Sequence, residues 1–155
     1  MPPSKRCPET GLRDDRGSAA LEFITAGFLL LIPLVYLVLV MAAIQGGALS
    51  VEGASRQAAR VYVQAPTGAA ADGRAQTAVD FALRDFGLGA APTRVTIACR
   101  PNPGACLTRR GFVTVTVTAS VPLPLVPNVL KLQTPLSVPL TATSTEQVSR
   151  FWGAG

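Results

Sequence analysis

The feature that most limits what this chain can become is the run from Phe23 to Ile44, FITAGFLLLIPLVYLVLVMAAI, 22 residues without a charged side chain. As a helix rising 1.5 Å per residue it extends about 33 Å, against a bilayer hydrocarbon core of about 30 Å. One membrane span is expected here. No later stretch competes, because the remaining apolar runs are short, alternating or broken by proline.

A single carboxylate, Glu22, stands at the head of this run, five residues after Gly17. A charge such as Asp or Lys at the centre of a span costs about 2.5–3.5 kcal/mol, and one at the edge less, so the position asks for a chemical reason. Cleavage between Gly17 and Ser18 supplies one. The new amine of Ser18 then lies one helical turn from Glu22 on the same face, and the carboxylate sits near the positive end of the helix dipole.

A short basic leader ending in glycine, a small residue, glutamate at the fifth position, an aromatic at the sixth and a long apolar helix resemble the type IV prepilin signal. The form RGSAALEF, Arg16 to Phe23, is similar to the TadE-like pseudopilins of the tight-adherence (Flp) pilus system. The resemblance implies a minor pilin or pseudopilin acting in pilus assembly and adhesion, cut between Gly17 and Ser18 by an aspartyl prepilin peptidase. It implies other pilins and the membrane proteins of the pilus platform as further partners. Two readings compete. A plain signal anchor also shows a basic tail and an apolar helix, which would give an uncleaved single-pass surface protein binding envelope components. A cleavable secretory signal finds small residues after the run, but 22 apolar residues exceed the usual 7–15 of its hydrophobic region.

Lys5, Arg6, Arg13 and Arg16 precede the span, whereas Arg56 and Arg60 are the first basic residues beyond it. The positive-inside tendency therefore places the leader in the cytoplasm and the C-terminal part outside the cell membrane. Cys7 then lies on the reducing side, as a spectator. Pro33 has no N–H to give Leu29, so the helix is expected to bend or loosen there, a kink that in pilin-like helices can accompany extraction into a filament. Ala42 with Gly46, and Ala43 with Gly47, form two small-xxx-small pairs on which a partner helix could approach closely.

The organisation expected is a leader over 1–17, a transmembrane helix over 18–44, a helical extension over 45–64 and an extracytoplasmic α+β domain over 65–155. Ala54, Ala58, Val61 and Tyr62 recur at helical spacing, continuing the first helix past a potential hinge at Gly46–Gly47. Ala65 to Ala71 reads as a linker. Asp72 is the expected cap of a second helix, whose apolar face is Ala75, Val79, Ala82, Leu83 and Phe86 and whose stop is Gly87 and Gly89.

The period then changes. Val95, Ile97 and Cys99 alternate with polar or small residues, and Val113, Val115 and Val117 alternate with threonines, predicting strands with one buried face. Leu136 to Thr143 predicts another, at an edge because of Pro135 and Pro139, while the prolines of Val121 to Pro127 exclude a central strand there. The fold class is thus α+β: a long N-terminal transmembrane helix, a second amphipathic helix and a small antiparallel sheet of three or four strands. Cys99 and Cys106 frame a turn-rich loop, and outside the cell they should be oxidised to a disulfide.

Composition narrows the function classes. There is no histidine, which removes the commonest general base and metal ligand at neutral pH. No nucleophile elbow, Walker loop or zincin motif occurs, and two cysteines without histidine make a poor zinc site. No enzyme activity, metal or cofactor is expected. The net charge of +5 is scattered, without a basic block interleaved with aromatics, so nucleic acid is not an expected partner and the lipid bilayer is.

Overall fold

The computed structural model describes residues 16–124 and 136–153, with the side chains of 16–19 left aside. The leader before Arg16, including Cys7, and residues 125–127 and Pro135 of the proline-rich stretches lie outside the described residues. The chain divides into two units, Met1–Leu37 and Val38–Gly155. Helix α1 spans Arg16–Val63, helix α2 Gly68–Asp85, and three strands follow: β1 Thr93–Arg100, β2 Phe112–Pro122 and β3 Ser137–Gln147. The sheet is antiparallel in the order β1-β2-β3. The α+β class is as expected, with three strands.

Among the described residues of the first unit the chain is one helix, apolar from Phe23 onward. Alanine, leucine and their unbranched kin favour helix, and Pro33 is accommodated without interrupting it. Every residue from Ala20 to Leu39 is exposed. The best 18-residue window has a mean hydropathy of 2.7 and no buried share, so α1 is long and apolar enough to cross a membrane.

In the second unit α1 and α2 lie on one face of the sheet. The β2 side chains Val113, Val115, Val117, Ala119 and Val121 all point into the core, facing Val51, Ala54, Ala58 and Tyr62 of α1 and Ala71, Ala75, Val79 and Leu83 of α2. Burying each valine or leucine contributes about 1.5–3 kcal/mol. Two contacts set the helices antiparallel: Ser50 Oγ donates to Ala82 O at 3.4 Å, and Tyr62 lies beside Asp72. Trp152 Nε1 donates to Ala65 O at 2.9 Å, tying the C-terminal segment to the α1–α2 turn.

The outer face of the sheet is hydroxylic. Thr114 pairs with Thr145, Thr116 with Thr143 and Thr118 with Thr141, their hydroxyls 2.8, 3.1 and 2.9 Å apart. These rungs fall on the pairs whose backbones do not bond each other, where side chains approach most closely. Near the start of β2, Arg110 N and Gly111 O both bond Val148, so two residues face one in a bulge, with Arg110 in the left-handed region at φ 61°.

Four expectations are corrected in detail. Helix α2 begins at Gly68, a turn before the expected Asp72, because the Thr67 side chain accepts from Ala70 N and caps it. Phe86 is not on the buried face: it is the C-cap, leaves helical geometry and is exposed, while Gly87 takes φ 73° and Leu88 N returns to Leu83 O. Strand β2 continues through Val121 to Pro122 despite the proline. By the alternation of the ladder the missing N–H of Pro122 points past the start of β1, where no strand waits for it. Strand β3 runs to Gln147, four residues further than expected.

Gly47 is where α1 meets the sheet. A Cβ placed there would lie 2.5 Å from Val121 Cγ2 and 3.2 Å from Leu140 Cδ1, whereas one at Gly46 would meet nothing within 4 Å. Alanine gains about 1 kcal/mol over glycine within a helix, but overpacking costs about 1–3 kcal/mol. Gly46→Ala is therefore expected to raise the stability of the full chain in micelles, and Gly47→Ala to lower it or leave it level; denaturant unfolding followed at Trp152 reads both, and an equal gain for the two would contradict the close contact.

Candidate functional site

The residues singled out in the sequence fall in separate places. Positions 17 and 18 lie in the first turn of α1, and position 22 lies one turn beyond 18. Glu22 is exposed, and so is Phe23, at 80%. Thr25 Oγ1 donates to Leu21 O at 2.7 Å, so this hydroxyl is satisfied by its own helix. Leu21, Glu22, Thr25, Ala26 and Leu29 line one shallow, open surface. It carries a carboxylate on an apolar helix, an arrangement suited to receiving an amine or a basic side chain and without the enclosure that catalysis needs. Pro33 lies further along the same exposed helix, next to Ile32, Ile24 and Phe28 in another open surface.

The two small-residue pairs separate. Ala43 is half-buried and Gly47 buried, and Gly47 is occupied by the chain's own Val121 and Leu140. That pair is spent on intramolecular packing, contrary to the expectation of a partner helix there. Ala42 is exposed, and Gly46 is half-buried with open space where a side chain would be. Sequence spacing alone does not distinguish the two pairs, since both satisfy the same pattern.

Cys99 and Cys106 are joined in a disulfide, seven residues apart with Cα atoms 5.1 Å from each other. Closing so short a loop is worth about 2.5 kcal/mol on the chain-entropy estimate. The half of the loop from Gly104 to Leu107 faces Tyr62, Gly68 and Asp72 across a cleft. Among the described residues no group of three or more His, Cys, Asp or Glu side chains is gathered as a metal would need, and the one ion pair is Glu52 with Arg56, both exposed.

The sequence marks Tyr62 for packing and Asp72 as a cap, and nothing in it shows that the two meet. Tyr62 is 4% exposed. Burial pushes its phenol above the ordinary value of 10.0, and the nearby Asp72 carboxylate pushes further in the same direction. The arrangement ties the end of α1 to the first turns of α2. The only sequence signal was the helical spacing of Tyr62 with Ala58; its partner lies across a turn and has no local signature. No family model, characterised protein or solved structure matches this chain.

The sign of the pH dependence follows from the raised phenol. Unfolded tyrosine ionises near pH 10, so the stability this group contributes is fully present below that pH and is lost as pH rises through the higher folded value. Asp72→Asn should bring ionisation of Tyr62 down toward the ordinary phenol, read by phenolate absorbance, and Tyr62→Phe should flatten the alkaline fall in stability. A titration unmoved by Asp72→Asn would separate the two groups.

Proposed function

We propose that this chain is a pseudopilin or minor pilin subunit that takes part in assembly of a tight-adherence pilus and is cut after Gly17 by a prepilin peptidase. The observation that carries the reading is the junction Arg16–Phe23, in which glycine, a small residue, glutamate and phenylalanine stand at pilin-like offsets and lead directly into an apolar helix. Support comes from the helix itself, exposed on every side from Ala20 to Leu39, which requires an apolar environment: lipid before assembly and neighbouring helices after it. In this reading the protein resides in the cell membrane as a single-pass subunit with its leader in the cytoplasm and its α+β domain outside.

The roles follow from chemistry. Gly17 and Ser18 flank the scissile bond, small enough for a protease to approach the backbone. Glu22 is held where it can meet the Ser18 amine or the N-terminus of a neighbouring subunit, an ion pair strengthened by the low dielectric around it. Phe23 to Ile44 anchors the chain, Ala42 and Gly46 keep an open strip for a second helix, and the disulfide braces the exposed domain. The partners in this reading are the peptidase, other pilins and pseudopilins, and the platform proteins of the assembly machine.

Co-expression with an active prepilin peptidase tests it: the membrane-extracted chain should lose the mass of residues 1–17 and begin at Ser18. Retention of the leader beside a peptidase that processes a control pilin would favour the uncleaved surface protein instead. Glu22→Ala is expected to leave membrane insertion intact while reducing piliation in an electron-microscopic count, and unchanged piliation would make the carboxylate incidental.

A further inference from the structure

The end of the α+β unit nearest the apolar part of α1 differs from the opposite end. Along α1, Val40, Ala43, Ile44 and Gly47 are half-buried or buried, at the spacing i, i+3, i+4, i+7 of one helix face, while Met41, Ala42 and Gln45 between them are exposed. Val40 lies four residues, about 6 Å, inside the charge-free run that ends at Ile44. The unit therefore already flanks the last turn of that run.

Three elements bring apolar side chains to this end. Leu49 of α1 is 65% exposed, about 7.5 Å beyond Ile44. Helix α2 is antiparallel to α1 and level with Ser50 at Ala82, so its C-cap Phe86, 53% exposed, comes about 6 Å nearer the run. The sheet contacts Gly47 through Val121 and Leu140 and continues to Leu123 and Leu136, closed by Leu123 N donating to Leu136 O at 3.0 Å; Leu136 is 47% exposed. Beside them lies a cleft lined by Leu88, Ala91, Pro92 and Pro122, with no charged side chain among the described residues of its wall.

The opposite end is built otherwise. Arg109 Nε donates to Trp152 O there, Arg110 caps the bulge, and the exposed Phe151 has the Arg150 guanidinium over its ring at 4.5 Å. Exposed aromatics at that end are accompanied by charge. At the near end, among the described residues, Arg84 and Asp85 stand close to Phe86 in the chain, and Arg94 lies opposite Thr118 near the start of β1.

We propose that the near end, through Leu49, Phe86 and Leu136, is seated in the interfacial layer of the bilayer, so that the α+β unit rests on lipid. This rests on the reading of α1 as a membrane span. The headgroup layer on each side is about 5–7 Å thick, the difference between the full bilayer and its hydrocarbon core shared over two faces. Phe86, about 3 Å beyond the end of the span, falls within that layer, and Leu49, about 7.5 Å beyond it, falls at its outer limit. Aromatic and aliphatic side chains beside an apolar span are stabilised there, whereas in water the same three would be a liability.

Nitroxide labels tested by power saturation in nanodiscs decide it. Single cysteines are introduced into the full chain with Cys7→Ser and the native disulfide intact, as Phe86→Cys, Leu136→Cys, Leu34→Cys within the run and Phe151→Cys at the far end. All four positions are exposed, so the labels leave the core untouched, and unfolding midpoints equal to the parent verify this. Labels at 86 and 136 should report a depth between the lipid-immersed 34 and the aqueous 151. If 86 and 136 match 151 while 34 is in lipid, the seating is wrong and the span stands. If 34 is aqueous, the span and the seating fall together. If 86 and 136 are shielded from oxygen and from the aqueous relaxant alike, protein covers this end, such as a second copy of the chain, and the seating is overturned.

Discussion

The folded unit depends on how closely one helix can lie against one sheet. Gly47 presents only hydrogen to Val121 and Leu140, so the backbone of α1 comes within van der Waals reach of the β2 side chains. Alanines at 54, 58 and 59 keep the approach tight further along, each fully buried. A core made of alanine against valine has little volume to spare, and its stability comes from contact at crystal-like density. The α1 surface changes character at this contact: before it the helix is apolar all round, and after it only one face is.

The same contact explains how a chain with few large hydrophobic residues outside its apolar run still forms an ordered domain. The largest fully buried side chains are valines, together with Ser50 and Ser55, whose hydroxyls are satisfied by Ala82 O and Glu52 O. Threonines on the opposite face of β2 and β3 are paired with one another, so the central strand β2 is held by packing on one side and by hydroxyl rungs to β3 on the other. The disulfide and the Trp152 bond to Ala65 close the end away from Gly47.

Much of this was legible in the residues. The alternation of Val113, Val115 and Val117 with threonine marks a half-buried strand without ambiguity, since period two fits no helix. The helical face of Ala75, Val79 and Leu83 was equally plain. What failed was punctuation. Pro66 and Gly68 suggested a linker and hid Thr67 as the cap, because the propensity of the alanines at 69–71 carries the helix back over a full turn. Pro122 suggested an end to the sheet, yet a proline at a strand terminus loses no ladder bond. Long-range partners, such as Tyr62 with Asp72 and Gly47 with Val121, leave no trace in local pattern. At the small-residue pairs the sequence could not tell that Gly47 serves the chain's own sheet while Gly46 faces open space.

Pro139 sits in β3 opposite Ser120, and Ser120 spends its N–H on Pro92 O across β1, so the proline nitrogen faces the sheet's outer margin. A foreign strand trying to zip along that margin would find a missing donor and a pyrrolidine ring in its path. The outer edge of β3 is thereby guarded against strand addition by another chain and against growth into cross-β stacks.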